Sequence, residues 1–170
     1  VQMDASGNSS VSTSQVDDGT TDNCSFGVSF DGTSAVATLN FVAADLGANT
    51  VTLYATDASN NQTSSSATVT VVDQISPVVN TQNVTVYLDA NGAASITTSD
   101  IDNGTTDNSD QFTLTLDNTS FDCDDLGTNT VVLTATDVSG NTSNSNATVT
   151  VIDNTIPVLN ITNSYAILGA

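Results

Sequence analysis

An all-β fold built as tandem β-sandwiches is predicted by three features of the sequence. Apolar residues make up 38% of the 170 residues and fall in short runs that alternate with polar ones. That period of two belongs to strands with one buried and one wet face. Glu, Lys and Arg are absent, so common helix formers are missing. Ser, Thr and Asn supply roughly 40% of the chain, far above ordinary usage. Thr suits strands, and Asn, with Asp and Gly, suits turns. Finally, the chain aligns with itself without gaps. TVTLYATDASNNQTSSSATVTVVDQISPVV (50–79) matches TVVLTATDVSGNTSNSNATVTVIDNTIPVL (130–159).

Shorter matches extend the repeat. VDDGTTDN (16–23) pairs with IDNGTTDN (101–108), and DLGANT (45–50) with DLGTNT (125–130). The unit is a little over ~80 residues, a domain-sized period. We expect one unit over 1–73 that lacks the start of its first strand. A second unit spans 74–153, and 154–170 is the first strand of a following repeat. The ends carry the same register: residues 1–5 match 86–90, and 160–170 match 80–90. The chain is therefore expected to be a slice of a longer array. The linkers Asp73–Pro77 and Asp153–Pro157 are short. Proline fixes φ and cannot donate to a ladder, so it suits the entry to an edge strand. Little slack predicts an extended rod.

The strands of unit two are read in order. Val84, Val86 and Leu88 share one face of the first. Ile96 and Ile101 flank a Thr/Ser-rich stretch read as a strand. Phe112, Leu114 and Leu116 alternate with Thr113 and Thr115. Val131, Leu133 and Ala135 alternate with Val132 and Thr134, and Ala147, Val149 and Val151 with Thr148 and Thr150. Unit one repeats this with Phe26, Val28 and Phe30, then Val51, Leu53 and Ala55, then Ala67, Val69 and Val71. Several short strands between Asn/Asp/Gly turns make each unit an immunoglobulin-like sandwich. A β-solenoid would need a sub-repeat of ~20–30 residues, and none is seen.

Charge removes most chemistry. All 19 acidic residues are Asp, and Lys, Arg and His are absent, so the formal charge is −19. No imidazole can act as a base near neutral pH, and no Ser-His-Asp set can form. No Lys can make a Schiff base and no Arg can clamp a phosphate. Nucleic acid is not an expected partner, because nothing neutralises its backbone. An anionic membrane surface is excluded likewise, and no run approaches the ~20 apolar residues of a span. Paired carboxylates hydrolyse glycosides, but no Asp-Thr-Gly or Asp-Ser-Gly motif appears. No enzyme is expected.

The motif Leu-Gly-x-Asn-Thr-Val, then Ala-Thr-Asp, then Ala-Thr-Val-Thr-Val-x-Asp, then Pro resembles the HYR (hyalin-type) repeats of giant bacterial surface adhesins. It is most similar to the repeats of SprB-type gliding-motility adhesins. The resemblance covers nearly all of both units. It implies an immunoglobulin-like sandwich, export to the cell surface, and a role as adhesin shaft or ligand-binding repeat. It also implies cysteine positions that this chain fills only by halves. Unit one has Cys24 but Ala43 at the second position, and unit two has Cys123 but Ser109 at the first. Ser65 and Ser145 occupy the third.

Two cysteines in an exported chain usually suggest a disulfide. Cys24 and Cys123 fall in different units, however, and a bridge needs Cα atoms within ~7 Å. Free thiols, a bridge between neighbouring chains, or an intrachain bridge on a folded-back chain are the alternatives. Asn-x-Ser/Thr triplets, such as those at Asn61 and Asn141, are either glycosylation acceptors or chance in so Asn-rich a chain.

Calcium is the cofactor these residues suggest. In such a sandwich the loop after the second strand, the loop between the last two strands and the incoming linker share one end. In unit two this places Asp73, Asp102, Asp107 and Asp137 together. Unit one offers Asp17, Asp18, Asp22 and Asp57. Oxygen ligands without His or Cys suit Ca²⁺ rather than a transition metal. The alternative is that these Asp side chains only form turns. The expected role is a non-catalytic structural or adhesive segment of an extracellular cell-surface filament. Its partners are neighbouring repeats and surface glycans. The alternative is a carbohydrate- or ice-binding module using exposed Thr/Asn faces or Tyr54 and Tyr87.

Overall fold

The computed structural model describes residues 1–33 and 35–161. It is an all-β structure of tandem immunoglobulin-like β-sandwiches. Repeat 1 contains β1 (Asn8–Ser12), a helical turn α1 (Thr13–Val16), β2 (Phe26–Ser29), β3 (Thr38–Val42), β4 (Gly47–Asp57) and β5 (Gln62–Val71). Repeat 2 contains β6 (Val84–Tyr87), β7 (Ala94–Ser95), α2 (Thr98–Ile101), β8 (Phe112–Leu116), β9 (Ser120–Phe121), β10 (Gly127–Asp137) and β11 (Thr142–Ile152). The expected first strand of a following repeat falls mostly at 162–170, outside the described residues.

Both repeats use one topology. In repeat 2 one sheet runs β6-β11-β10-β8 and the facing pair is β7-β9. β6 is parallel to β11, while the other pairs are antiparallel. In repeat 1 the sheet runs β2-β4-β5 and the facing pair is β1-β3. Residues 1–3 take the place of β6: Gln2 bridges Val72 in parallel, and Met3 N donates to Val72 O at 2.9 Å. Leu88 N donates to Ile152 O in the same way. The hairpin registers agree, with Leu53 opposite Ser65 and Leu133 opposite Ser145.

The alternating residues build two cores. One joins Leu88, Ile96, Ile101, Phe121, Val131, Leu133, Ala147, Val149 and Val151. The other joins Met3, Val11, Phe41, Val51, Val69 and Val71. Two readings are corrected. The Thr/Ser-rich stretch between Ile96 and Ile101 is not a continuous strand; it ends in the turn α2. Thr97 caps that turn: its N–H and its hydroxyl both donate to Asp100 Oδ2 at 2.7 Å. Such local bonds outcompete the ladder at Ser, Thr and Asp. Phe26 belongs to β2 but is exposed rather than core.

Candidate metal centre at the joint between repeats

Most Asp side chains are used locally. Asp57 Oδ1 accepts from Ser59 N and Asn61 N, each at 2.8 Å. Asp4, Asp89 and Asp137 make the same pair of bonds to residues two and four ahead. Asp17 accepts from Thr20, Asp22 from Cys24 N, and Asp102 from Thr105 N and hydroxyl. These are turn bonds of the kind that draw Asp to loops. They hold several carboxyls below the usual range. At Asp57 the main cause is the Asn61 side chain, at Asp17 and Asp100 a Thr hydroxyl, and at Asp89 the Ala93 N–H. The Thr33 hydroxyl and N–H lower Asp31 to about 2.

Three carboxylates converge as well. Asp73 lies just beyond β5, Asp107 in the loop before β8, and Asp137 at the end of β10. Each offers an oxygen within 4.8 Å of the other two. Asp73 and Asp137 are only 5% exposed. Of the expected ligands in unit two, Asp102 stays outside this group. Asp17, Asp22 and Asp57 form no such cluster among the described residues.

Asparagines absent from the sequence-based candidates complete the centre. Asn108 Nδ2 donates to Asp73 Oδ1 at 3.1 Å and to Asp4 O of repeat 1 at 3.3 Å. Asn141 Nδ2 donates to Asp137 Oδ2 at 2.8 Å and to Asp73 O at 3.1 Å. The recurrence of Asn23/Asn108 and Asn61/Asn141 in the two units was the available signal. Gly7 seals the contact: a Cβ there, at φ +73°, would stand 2.2 Å from Asn108 O.

The electrostatics are one-sided. Asp73 Oδ2, Asp107 Oδ1 and Asn108 Oδ1 are buried without a hydrogen-bond partner. Orphaned buried acceptors cost roughly 1–3 kcal/mol each, and more when charged. Unit charges 4.8 Å apart repel by about 3.5 kcal/mol at an effective dielectric constant near 20. The sequence has no Lys, Arg or His to answer them. A hard divalent cation fits: Ca²⁺ takes about 6–8 oxygen ligands from carboxylates, amides, carbonyls and water. Asp73, Asp107, Asp137 and Asn108 Oδ1 are the groups that would hold it.

The remaining candidates lie apart. Tyr54 sits in β4 of repeat 1, and Tyr87 is exposed at the end of edge strand β6 in repeat 2. Cys24 and Cys123 are both free and exposed. No helix among the described residues is long and apolar enough to cross a membrane.

No family model and no curated protein matches the sequence, so the hyalin-type resemblance rests on the repeat motif itself. Solved structures with related architecture include human mucin-like protocadherin EC1-2, at 12% identity and TM-score 0.38, with 86% of this chain and 85% of that one covered. The fibronectin(III)-like modules of Clostridium thermocellum CbhA match at 15% identity and TM-score 0.32, over 95% and 94%. Protocadherin gamma B7 cadherin domains 1-4 match at 13% identity and TM-score 0.35, over 78% of this chain and 40% of that one. Likenesses at this level carry no functional argument.

Proposed function

We propose that the chain is a calcium-stiffened spacer segment of an extracellular adhesive filament. The observation that carries this is the set of unpartnered, buried oxygens of Asp73, Asp107 and Asn108 at the joint between repeats. A cation there bonds the linker to both loops of repeat 2. Through Asn108, which also touches Asp4 of repeat 1, it limits bending. Repeated along an array, such joints turn a string of small sandwiches into a stiff shaft. The all-Asp charge then keeps the shaft solvated and discourages lateral association.

The test is thermal unfolding of the full chain in CaCl₂ and in EDTA, with calorimetric titration of Ca²⁺. Binding at 100-fold excess over Kd stabilises by about 2.7 kcal/mol. We expect a higher Tm in calcium, with the gain lost in Asp107→Asn. An unchanged Tm and no binding heat would sink the calcium reading.

A further inference from the structure

The chain enters and leaves repeat 2 at opposite ends. It enters beside the start of β11, where Asn141 Nδ2 donates to Asp73 O at 3.1 Å. It leaves at Asp153, just past the other end of that strand. β11 has 11 residues, so the two points lie ~35 Å apart. β6, the first strand after the linker, runs beside β11 and parallel to it, whereas the other ladders of repeat 2 are antiparallel.

The parallel contact is longer than β6. Along the strand Val84 stands opposite Val149 and Tyr87 opposite Ile152. Upstream, Thr148 N donates to Asn83 Oδ1 and Thr81 Oγ1 to Asn146 O, both at 2.8 Å and both across 65 residues. The Ser143 hydroxyl donates to Pro77 O across 66. Downstream, Leu88 N donates to Ile152 O at 2.9 Å. Residues 77–88 thus follow 143–152 in nearly one register. The inner side of this contact is dry, with Leu88, Val149 and Val151 no more than 4% exposed. On its other flank the segment is held by the loop 102–106 and the end of α2. Val78 N donates to Thr106 O at 2.8 Å, Asn103 N to Asn80 O at 3.0 Å, and Gln82 N to Ile101 O at 2.9 Å.

Direction decides what these bonds do. A pull along the chain draws the upstream end of 77–88 one way and the downstream end of β11 the other. Parallel neighbours pulled in this way must slide past each other. All the bonds between them are then loaded at once. Antiparallel neighbours pulled from adjacent ends would instead open one bond at a time. The chain from 89 to 142, with β8 and β10, lies behind this contact and takes no tension until it yields.

We propose that repeat 2 is built to resist tension along the chain, with residues 77–88 against 143–152 as its mechanical clamp. The biological use of this clamp rests on the shaft reading. The clamp itself is made by strands and needs no cation.

The test is single-molecule pulling of the full chain by handles at its two ends, under constant force. Forced unfolding reads the unfolding rate. Release of 77–152 should lengthen the tether by about 230 Å in one step. The Val86 N–H points the same way as that of Leu88, toward β11, and proline there removes it. Val86→Pro should make one unfolding step about tenfold faster or more. Thr81→Val/Asn83→Ala, which removes two side-chain bonds of the clamp, should speed the same step about tenfold. Leu114→Ala in β8 is the control. Its core contacts persist when the clamp breaks, so it should lower Tm yet change the forced rate less than about twofold. Circular dichroism checks that each variant is folded. Clamp variants that unfold at the original rate overturn the proposal. So does a Leu114→Ala step accelerated as much as theirs, because resistance would then follow overall stability. The same ranking of variants in EDTA supports a clamp made by strands alone, even if calcium fails to bind. A ranking lost in EDTA overturns it.

Discussion

Repeat 1 and repeat 2 share topology, register and most of their core residue types, yet they are not equally closed. Leu133, Ala135 and Ala147 are sealed, while Leu53, Ala55 and Ala67 are half open. The strand sequences do not account for this difference. In repeat 2 residues 75–83 bond β11 and the loop 102–106 beside these side chains, and no described residue of repeat 1 makes the corresponding bonds. In repeat 2 the burial of Leu133 and Ala147 thus involves a segment outside the hairpin that carries them. The joint shows the same contrast. Asp137 meets Asp73 and Asp107, whereas its counterpart Asp57 bonds only its own turn among the described residues.

The largest test of this contrast is a pair of identical truncations. Leu133→Ala should cost about 2–5 kcal/mol, as for a sealed leucine. Leu53→Ala should cost about half as much or less, because water already reaches that side chain. Urea denaturation followed by hydrogen exchange within each repeat reads both. Equal losses would break the comparison.

A pair of glycines probes the joint at a smaller scale. Gly47, at φ +103°, has nothing within 4 Å of a built Cβ, whereas Gly7 meets Asn108 O. Both alanine variants pay about 1–2 kcal/mol of left-handed backbone strain. Only Gly7→Ala should also raise exchange at Asn108, because a backbone oxygen cannot yield to the new methyl. Exchange unchanged at Asn108 would show that the Asp4–Gly7 turn does not hold the joint.

The smallest effect is acid sensitivity. A carboxyl with a lowered folded pKa stabilises the fold above its unfolded value, about 3.9. That stabilisation is lost as pH falls toward the folded value, about 2 at Asp31. Repeat 1 carries Asp17, Asp31 and Asp57 in this class, and repeat 2 carries Asp89 and Asp100. Between about pH 4 and 2, exchange should therefore rise somewhat more in repeat 1. All five groups face solvent, so the difference should be modest. A larger rise in repeat 2 would reverse the assignment.

Much of this architecture was readable in one dimension. The alternation of Val131, Leu133 and Ala135 against Val132 and Thr134 fixes which face is buried. The ungapped match of 50–79 with 130–159 announces two equal units. Two misreadings have different causes. Thr97 to Ile101 has the composition of a strand, but its Thr and Asp bond each other and close a helical turn. Phe26 alternates correctly with Val28, but it borders a cleft with Thr20, Thr21 and Ala55 and stays wet. At the joint, Asp73, Asp107 and Asp137 were nameable in advance, but so was Asp102, which Thr105 holds elsewhere.

Strands, register and turn chemistry are what the sequence by itself determined. Their physical basis is local: side chains alternate every second residue, and Asp carboxyls bond backbone N–H groups two to four residues ahead. Which carboxylates converge, and which sheet is covered, only the tertiary structure decided. Those outcomes hang on contacts 35 residues apart for Asn108 with Asp73 and 68 apart for Asn141 with Asp73. No local pattern of Asp, Asn and Thr encodes them, because the partners lie in segments far apart along the chain.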